Sequence, residues 1–557
     1  MFRAYAEKFS IGQRLSVMMF LQFFIWGTWY VVGPLYLGGI GFDEADFGWM
    51  YSVGPIAGMI SPFFVGMIAD RFFPTEKVLG LMHLLGGAAM LYATTLMTAD
   101  NPDPGMINLV FFIHMLFYFP TLALTNTLAL HTMTDAESQF PVIRVFGTIG
   151  WVVAGQLISW LIWDSTINVF YLAAFSSFLL GFYSFTLPHI PPPLAGQKVT
   201  ARELIGADAF VLLKHKPFLI FMVSSFLICI PLAFYYQMAA RAVEQAGMDN
   251  VAGTMTYGQI SEIFFMLLMP LCFRRLGVKY MLLVGMFAWV VRYILFAIGS
   301  PVDEATGVSQ LQWMLLLGIV LHGICYDFFF VTGQIYTDKV APKEIRGQAQ
   351  GMLALFTLGL GMFIGAKSAG LVEGWNTPKE SKALHQELLD DTQKSKQLAK
   401  ELDDLLASLE QDAPEAREKF EQEAEIVEHL KGLYRGAELK TPDIPKLDHS
   451  YSMLTNKTLT PKLTEALQVQ SDRNDLAAAM AKKQLDEKQL KNWRWIWLLP
   501  AIFAAAIMGA FFYTFNESEK IDSGETSPDD VEPPPEVMET LAQSSSEEST
   551  SESDSPA

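Results

Sequence analysis

Apolar runs long enough to cross a lipid bilayer recur along the chain and constrain its fold more than any other feature. A run of about 18 or more apolar residues is typical of a transmembrane helix. Charged residues make up only 17% of the 557 residues, against roughly 25% in soluble proteins. The sequence therefore predicts an all-α polytopic membrane protein. Twelve candidate spans lie near residues 15–37, 47–69, 77–97, 106–130, 143–163, 167–187, 217–239, 254–273, 279–299, 311–336, 348–371 and 494–515.

A loop at 188–216 separates the first six spans from the rest. It contains the sequence PHIPPPLAGQK and further basic residues. Prolines end helices, and basic loops favour the cytoplasmic side of a membrane. The loops after the second, eighth and tenth spans are basic as well. We therefore predict an N-terminal six-helix half (1–187), a cytoplasmic linker (188–216), helices 7–11 of a C-terminal half (217–373) and cytoplasmic termini.

A long polar insertion separates the last two spans. It covers residues 374–492, and helix 12 follows at 493–515. Its position between helices 11 and 12 places it outside the cytoplasm. We predict a helical hairpin or small coiled-coil bundle, either as a solvated appendage or as a module that binds a protein partner. Leucines recur in it at heptad spacing: Leu398, Leu402, Leu405 and Leu409.

Most of the negative charge lies at the C-terminal end. Residues 516–557 contain 13 acidic residues and one Lys, which gives −12 of the net −19. Such a segment, rich in Ser, Glu, Asp and Pro, cannot bury a core, so we predict a disordered cytoplasmic tail. The chain has no basic patch of the kind that binds nucleic acid.

The sequence lacks the motifs of catalytic and cofactor sites. Its three cysteines, Cys229, Cys272 and Cys325, all lie in apolar spans, without the spacing of a zinc site. HExxH, GxSxG and P-loop patterns are absent. We therefore expect no enzyme activity, no bound metal and no cofactor.

Helix 5 begins with a permanent positive charge among apolar, Gly and Thr residues. Arg144, Thr148 and Trp151 are spaced i, i+4, i+7 and share one helical face. Gly147 and Gly150 lie between them and permit close contact with another helix. Arg144 either belongs to a binding site or extends from the helix end toward the cytoplasmic headgroups.

Helix 8 contains an amide and a carboxylate one turn apart. In the stretch YGQISEIFFMLLMP these are Gln259 and Glu262. An ionisable residue in mid-span indicates a functional site by default. The alternative is that a protonated Glu262 donates a structural hydrogen bond.

Helix 10 contains the acidic residue that lies deepest in the predicted spans. His322, Tyr326 and Phe330 form one stripe of this helix, and Asp327 lies beside it. Two structural alternatives remain open. Asp327 could form a salt bridge with a residue such as Arg292, and His322 could be a satisfied core histidine.

Helices 1 and 7 contribute further polar and aromatic residues. Gln22, Trp26 and Trp29 follow helical spacing, and Tyr235 and Gln237 follow a proline on helix 7. Both groups could belong to a binding site. The alternative for the helix 1 residues is helix packing, and the alternative for the helix 7 residues is the aromatic belt at the membrane interface.

Taken together, these groups suit a small, uncharged, hydroxyl-rich ligand with a flat ring. Aromatic rings can stack on the faces of such a ligand, while amide and carboxylate oxygens accept hydrogen bonds from its hydroxyls. A carboxylate within the membrane could also carry a coupling proton.

In these residues the chain resembles the nucleoside:proton symporters of the major facilitator superfamily. The similarity covers roughly 10–372 and 493–515, and the combination of the Arg144 and Asp327 segments with QISE is its most specific part. It rests on FLQFFIWGTW (20–29), GMIADRFF (66–73), YFPTLALTNT (118–127), FPVIRVFGTIGW (140–151), SFTLPHIP (184–191), GQISEIFF (258–265), AWVVRYILFAIG (288–299), GICYDFFFVTG (323–333) and IRGQAQGM (345–352).

The resemblance implies a major facilitator fold with a nucleoside site between the two halves. Glu262 and Asp327 would then be the ribose-binding or proton-linked carboxylates, and Arg144 would pair with an acidic group or with the nucleoside. By motif, the site would include Arg144, Thr148, Trp151, Gln259, Glu262, Tyr326 and Asp327. Relatives often have an aromatic residue in place of His322 and Phe in place of Trp151.

We therefore predict a secondary transporter that imports nucleosides by proton symport through alternating access. The expected location is the bacterial cytoplasmic (inner) membrane, with a proton as the coupling ion. Two alternatives stay open, which are a proton-coupled symporter of another polyol-like solute, such as a sugar, and a non-transporting membrane receptor or scaffold. The predicted substrate-binding residues are Gln22, Trp26, Arg144, Thr148, Trp151, Tyr235, Gln237, Gln259, Glu262, His322, Tyr326 and Asp327.

Overall fold

Helices make up all the regular structure that the computed structural model describes, over residues 2–133, 136–192, 207–342, 345–412 and 461–516. The predicted tail at 517–557 and the centre of the predicted linker, 193–206, lie outside these residues. The helices of the N-terminal half are α1 (Phe2–Trp29), α2 (Gly33–Gly38), α3 (Glu44–Arg71), α4 (Thr75–Met97), α5 (Pro104–Thr132), α6 (Ala136–Trp160) and α7 (Asn168–Ser184).

The rest of the chain continues this helical architecture. A 3₁₀ turn covers Ala207–Lys214, and π-helical turns cover Tyr326–Val331 and Leu355–Gly361. The remaining helices are α8 (Lys216–Gln245), α9 (Val251–Gly299), α10 (Gln312–Val320), α11 (His322–Cys325), α12 (Thr332–Val340), α13 (Arg346–Ala354), α14 (Met362–Trp375), α15 (Lys379–Asp412), α16 (Pro461–Leu490) and α17 (Trp493–Thr514).

Local sequence signals account for several helix ends. Asp43 caps α3 by accepting hydrogen bonds from the backbone N–H groups of Ala45 at 2.8 Å and Asp46 at 2.9 Å. The Asp46 carboxylate in turn accepts from the Asp43 N–H, which completes a capping box. Within α9, Gly277 has φ +66°, a conformation that L side chains rarely adopt. The 49-residue α9 is therefore two helices joined at Gly277.

Nine of the described helical segments are long and apolar enough to span a membrane. They are Ile11–Gly38, Thr75–Met97, Pro104–Thr132, Val142–Trp160, Lys216–Gln245, Val251–Gly299, Gln312–Val340, Arg346–Trp375 and Gln468–Thr514. This finding supports the predicted all-α polytopic class. The number of twelve spans and the domain boundaries stay predictions.

Two groups of helices meet along two lines of contact. In the first group α1 packs on α6 and α7, and α4 packs on α5 and α7; in the second, α9 packs on α17. Between the groups, α6 contacts α9, and α3 contacts α14. A large apolar core runs through both groups and includes Trp29, Trp289 and Trp497. Side chains that face the boundary between the groups are therefore held by helices from both.

Helices α15 and α16 of the predicted insertion lie side by side. Lys483 on α16 contacts Glu387 at 3.0 Å and Asp391 at 2.7 Å, both on α15. Leu402, one of the heptad leucines, is buried. The side chain of Leu409 and residues 413–460 lie outside the described residues. The coiled coil and a protein partner for the insertion stay predictions.

Candidate functional site

A cavity of about 200 Å³ lies where the two groups of helices meet. Aromatic side chains dominate its walls, and three of its residues can carry a charge: Arg144, Glu262 and His322. The lining residues are Phe23, Trp26, Tyr30, Pro55, Phe119, Arg144, Thr148, Trp151, Tyr236, Gln259, Glu262, His322, Tyr326, Leu358 and Met362.

Eight of the twelve predicted binding residues line this one cavity. The N-terminal half contributes four of them and the C-terminal half contributes four. They are Trp26, Arg144, Thr148, Trp151, Gln259, Glu262, His322 and Tyr326. The structure thus brings together residues that lie up to 300 positions apart in the chain. Their roles in binding stay predictions.

The polar groups of the cavity have few protein partners. Arg144 forms no hydrogen bond or ion pair with the residues that the structure describes, and its Cζ lies 4.1 Å from the centre of the Phe23 ring. Glu262 likewise has no hydrogen-bonded partner among them. The side-chain oxygen of Gln259 is buried and has no hydrogen-bond partner in the part of the chain that the structure describes. Buried polar groups are normally hydrogen-bonded, so this arrangement is suited to a ligand that supplies donors and acceptors.

Aromatic rings enclose these polar groups. Trp26 lies at the centre of one wall, with ring centroids 5.5 Å from Trp151 and 5.8 Å from Phe119, both in edge-to-face arrangements. On the opposite half, the ring of His322 lies 6.0 Å from that of Tyr326. Such walls can hold a flat ring by stacking or edge contacts.

Gln22 is the first of the four predicted residues that lie off the cavity. Its amide nitrogen donates to the Thr121 hydroxyl at 2.8 Å, and its amide oxygen lies 2.8 Å from His83 Nε2. The Tyr118 hydroxyl donates to the Gln22 carbonyl at 2.6 Å. In this conformation Gln22 is therefore part of a buried network within the N-terminal half.

Asp327 is also absent from the cavity lining. It is fully buried on the π-helical turn, and neither carboxylate oxygen has a hydrogen-bond partner in the described part of the chain. The alternative salt bridge to Arg292 does not form here. Instead, Arg292 Nη1 lies 3.2 Å from His322 Nδ1, and Arg292 Cζ lies 3.2 Å from the Tyr235 ring centroid.

Tyr235 and Gln237 lie behind the cavity on α8. The Tyr235 ring stacks on the His322 ring at 5.8 Å and 19°, so it supports a lining residue from outside. Gln237 is buried, and both of its side-chain polar atoms lack partners among the described residues.

Several lining residues were not among the predicted ones. Phe23 and Tyr30 share a helical face with Trp26, because the three residues are spaced i, i+3 and i+7. That spacing was a usable signal on α1. No comparable pattern marks Phe119, Leu358 or Met362. These residues reach the cavity only through the packing of α5, of the π-helical turn before α14 and of the first residue of α14.

One end of the boundary between the halves is closed by hydrogen bonds between α6 and α9. Gln156 Nε2 donates to the Gly253 carbonyl at 3.1 Å and to the Thr256 hydroxyl at 2.7 Å. Asp164, just beyond α6, accepts from the backbone N–H of Ala252 at 2.6 Å. The predicted topology assigns this end to the extracytoplasmic side, and that assignment stays a prediction.

Comparison with known protein families identifies the family to which the chain belongs. Residues 9–388 match the family model of the nucleoside H+ symporters. The chain belongs to the nucleoside H+ symporter family. Its activity is therefore nucleoside transport by proton symport, as the sequence predicted, and it is a multi-pass membrane protein of a transporter family.

Individual proteins and a solved structure are similar to this chain. It is 40% identical to the putative nucleoside transporter YegT of Escherichia coli (strain K12) over 366 residues, which are 64% of this chain and 84% of YegT. It is 32% identical to the xanthosine permease of the same organism over 377 residues, covering 65% and 88% of the two chains.

The crystal structure of the nucleoside transporter NupG aligns with 91% of this symporter and 99% of that chain. The TM-score is 0.63 at 23% sequence identity, so the likeness concerns the fold alone. The family match ends at 388, so most of the insertion lies beyond it.

Proposed function

We propose that this symporter imports nucleosides into the cytoplasm, driven by inward proton flow, through alternating access of one cavity to the two sides of the membrane. The observation that carries the proposal is the cavity between the halves. It contains a guanidinium, a carboxylate and an amide oxygen without protein hydrogen-bond partners among the described residues (Arg144, Glu262 and Gln259).

The chemistry of these groups matches a nucleoside. Ribose hydroxyls can donate to the Gln259 amide oxygen and to the Glu262 carboxylate, and each would otherwise be left unpaired. Arg144 has only donors, so it suits the carbonyl and ring-nitrogen acceptors of a base. Trp26 and Trp151 supply the aromatic surface against which the base can pack.

We place twelve membrane spans in the chain. Among the described residues, nine segments meet the requirements of length and hydropathy. The break at Gly277 divides Val251–Gly299 into two spans. Asn168–Ser184 is a shorter apolar helix, and Glu44–Arg71 is a 28-residue helix rich in apolar residues. We assign both termini to the cytoplasmic side of a bacterial inner membrane, and the basic loops support this assignment.

Two carboxylates are candidates for the coupling proton. Glu262 lines the cavity, so a proton there would change the charge and the hydrogen-bonding groups that the site presents to the substrate. Asp327 is fully buried without a partner among the described residues. A buried charge without a partner is costly, so protonation changes its energy strongly. We assign the proton to one of these two groups.

Uptake into liposomes tests the function. Purified protein, given labelled uridine or adenosine and an inward proton gradient, is expected to accumulate label above the level reached without the gradient. Unlabelled nucleosides should compete, and sugars should not. If no nucleoside accumulates under any gradient, the proposal is wrong. If a sugar competes better than nucleosides, the substrate is another polyol-like solute.

Amide variants test the coupling residue. Glu262→Gln or Asp327→Asn is expected to abolish the dependence of uptake on the gradient while exchange of nucleoside across the membrane continues. Glu304→Gln, in an exposed loop, is the matched control and should behave as wild type. Gradient-driven accumulation that persists in both amide variants would show that neither residue carries the proton.

A further inference from the structure

The Arg144 side chain is held in the cavity wall without an ion pair to any residue that the structure describes. It has several rotatable bonds and, from its position near a helix end, could extend to the headgroups. Instead, its guanidinium lines the cavity and lies 4.1 Å from the centre of the Phe23 ring on α1. Among the described residues no hydrogen bond or ion pair fixes it. The face of Phe23 is therefore the contact that orients this cation.

Gly147 completes the slot in which the guanidinium lies. A Cβ atom added at Gly147 would meet Phe23 Cδ2 at 2.6 Å and Arg144 Nη1 at 2.7 Å. Real Cβ atoms do not approach other atoms so closely. The guanidinium thus lies back over its own helix, one turn after its Cα, between Gly147 and Phe23. Any side chain at 147 would displace the ring or the cation.

Close packing of α1 on α6 sets the position of the Phe23 ring. Gly150 lies against the backbone of Phe20, where an added Cβ would overlap the Phe20 carbonyl oxygen. Gly27 lies against Trp151, whose Cα would be 3.1 Å from an added Cβ. Small residues at such crossings let helix backbones approach closely. Close backbone packing before and after Phe23 on α1 therefore sets the distance between its ring and the Arg144 side chain.

A ring face holds a cation differently from a carboxylate. An ion pair would occupy the N–H groups of the guanidinium, whereas a cation–π contact uses the charge and leaves the five donors unassigned. The contact thus orients Arg144 and keeps its donors for the ligand. We propose that Phe23 and Gly147 are positioning residues for nucleoside binding, which act by holding Arg144 in its slot. This inference rests on the proposed function and extends it to two residues outside the predicted set.

The first test compares two leucine variants of neighbouring phenylalanines. Phe23→Leu removes the π face and is expected to raise the KM for nucleoside uptake about 3- to 30-fold, the range of a partly desolvated cation–π contact. Phe23→Tyr keeps the face and should remain within about 2-fold of wild type. The control is Phe24→Leu, because Phe24 stacks on Phe20 at 5.7 Å and does not line the cavity.

The second test compares two glycines in membrane-spanning helices. Gly147→Ala should raise KM at least as much as Phe23→Leu, since it displaces the ring or the cation. Gly509→Ala is the matched control, because an added Cβ there meets nothing within 4 Å. Monodispersity and thermal unfolding of each purified variant report whether it has folded.

A double-mutant cycle separates positioning from direct contact between Phe23 and the substrate. If Phe23 acts through Arg144, then Phe23→Leu should change KM by less than about 2-fold in an Arg144→Gln background. Additive effects would overturn the inference, as would equal KM values for Phe23→Leu and Phe24→Leu in a protein that transports nucleosides. A wild-type protein that neither binds nor carries any nucleoside would overturn the proposed function together with this inference.

Discussion

Two arginines at the boundary between the halves make the same aromatic contact but differ in their partners. Arg144 lies 4.1 Å from the Phe23 ring centre, and Arg241 lies 4.1 Å from that of Phe47. The Arg241 guanidinium also binds both oxygens of the Glu373 carboxylate, at 2.6 and 2.8 Å. Arg144 has no such carboxylate among the described residues.

The difference shows what each arginine is suited for. Glu373 is fully buried and also accepts a hydrogen bond from Lys491 Nζ. The carboxylate therefore has two cationic partners, and the cluster of Arg241, Glu373 and Lys491 has a net charge of +1. Removing one member of a buried ion pair is strongly destabilising. The Arg144 guanidinium, in contrast, forms no hydrogen bond or ion pair with the described residues, so its donors are available to the ligand that we propose. We therefore expect the paired cluster to stabilise the fold, and the cavity around Arg144 is the site where we propose that the substrate binds.

The paired cluster also anchors the insertion. Glu373 lies near the end of α14 and Lys491 directly follows α16, so their contact joins the two ends of the insertion to the C-terminal half. The insertion also contacts the N-terminal half, because Lys382 Nζ on α15 lies 3.2 Å from Glu44 Oε2 at the start of α3. In the proposed cycle, opening of the predicted outer end is expected to break the contact between Lys382 and Glu44, because the contact of Lys491 with Glu373 fixes the insertion to the C-terminal half.

The largest expected effect is on the stability of the paired cluster. Glu373→Gln leaves two partly buried cations without their carboxylate and should lower the free energy of unfolding by up to about 3–5 kcal/mol. The KM of the protein that remains folded should stay close to the wild-type value. Thermal unfolding and uptake measure the two quantities, with Glu380→Gln on the exposed surface of α15 as the control. Unchanged stability would contradict a structural role for the cluster.

The opposite pattern is expected at Arg144. Arg144→Ala removes charged hydrogen bonds to the substrate worth about 1.5–3 kcal/mol, which corresponds to an increase in KM of about 10- to 150-fold. Its thermal stability should change little, since no described residue depends on this guanidinium for a hydrogen bond. Arg494→Ala, at an exposed position on α17, is the control. A variant that loses stability but keeps its KM would reverse the comparison.

A smaller effect is expected at Gln259. Gln259→Leu replaces a neutral acceptor whose oxygen has no partner in the described part of the protein. It should weaken binding by about 0.5–1.5 kcal/mol, or about 2- to 12-fold in KM. Nucleosides that lack a ribose hydroxyl should lose this sensitivity, which a comparison of ribo- and deoxyribonucleosides measures. Equal sensitivity for every nucleoside would place Gln259 away from the sugar.

The smallest effect is expected at the contact between the insertion and the N-terminal half. Exposed salt bridges contribute about 0–1 kcal/mol, so Lys382→Ala should shift the balance toward the outward-open state by at most about 5-fold. Labelling of a cysteine introduced on the outer end of α6 reports this shift, with Lys400→Ala as the control. A shift toward the inward-open state would exclude a contact that favours outer closure.

Helical periodicity explains why much of the cavity could be predicted. The i, i+4, i+7 spacing of Arg144, Thr148 and Trp151 places them on one face of α6, and the structure puts all three in the cavity. The same reasoning succeeded for His322 and Tyr326. It did not succeed for Gln22, which shares a helical face with Trp26 but whose amide is bound by Thr121 and His83 from other helices.

Asp327 shows a second limit of the same reasoning. It directly follows Tyr326, which lines the cavity, but the π-helical turn at Tyr326–Val331 departs from the 3.6-residue period on which face predictions rest. The structure places Asp327 in the core, away from the lining. The position of this carboxylate depends on a local change from α-helix to π-helix, which the residue pattern does not indicate.

The sequence by itself determined the membrane class and the faces of the helices on which the polar residues lie, and the division at 188–216 stays its prediction. These properties depend on hydropathy and on local spacing, which each segment carries independently of the others. Only the tertiary structure decided which charges are paired. Arg144 and Arg241 look equally costly in an apolar sequence, and the difference between them is a carboxylate that arrives from α14, more than a hundred residues away.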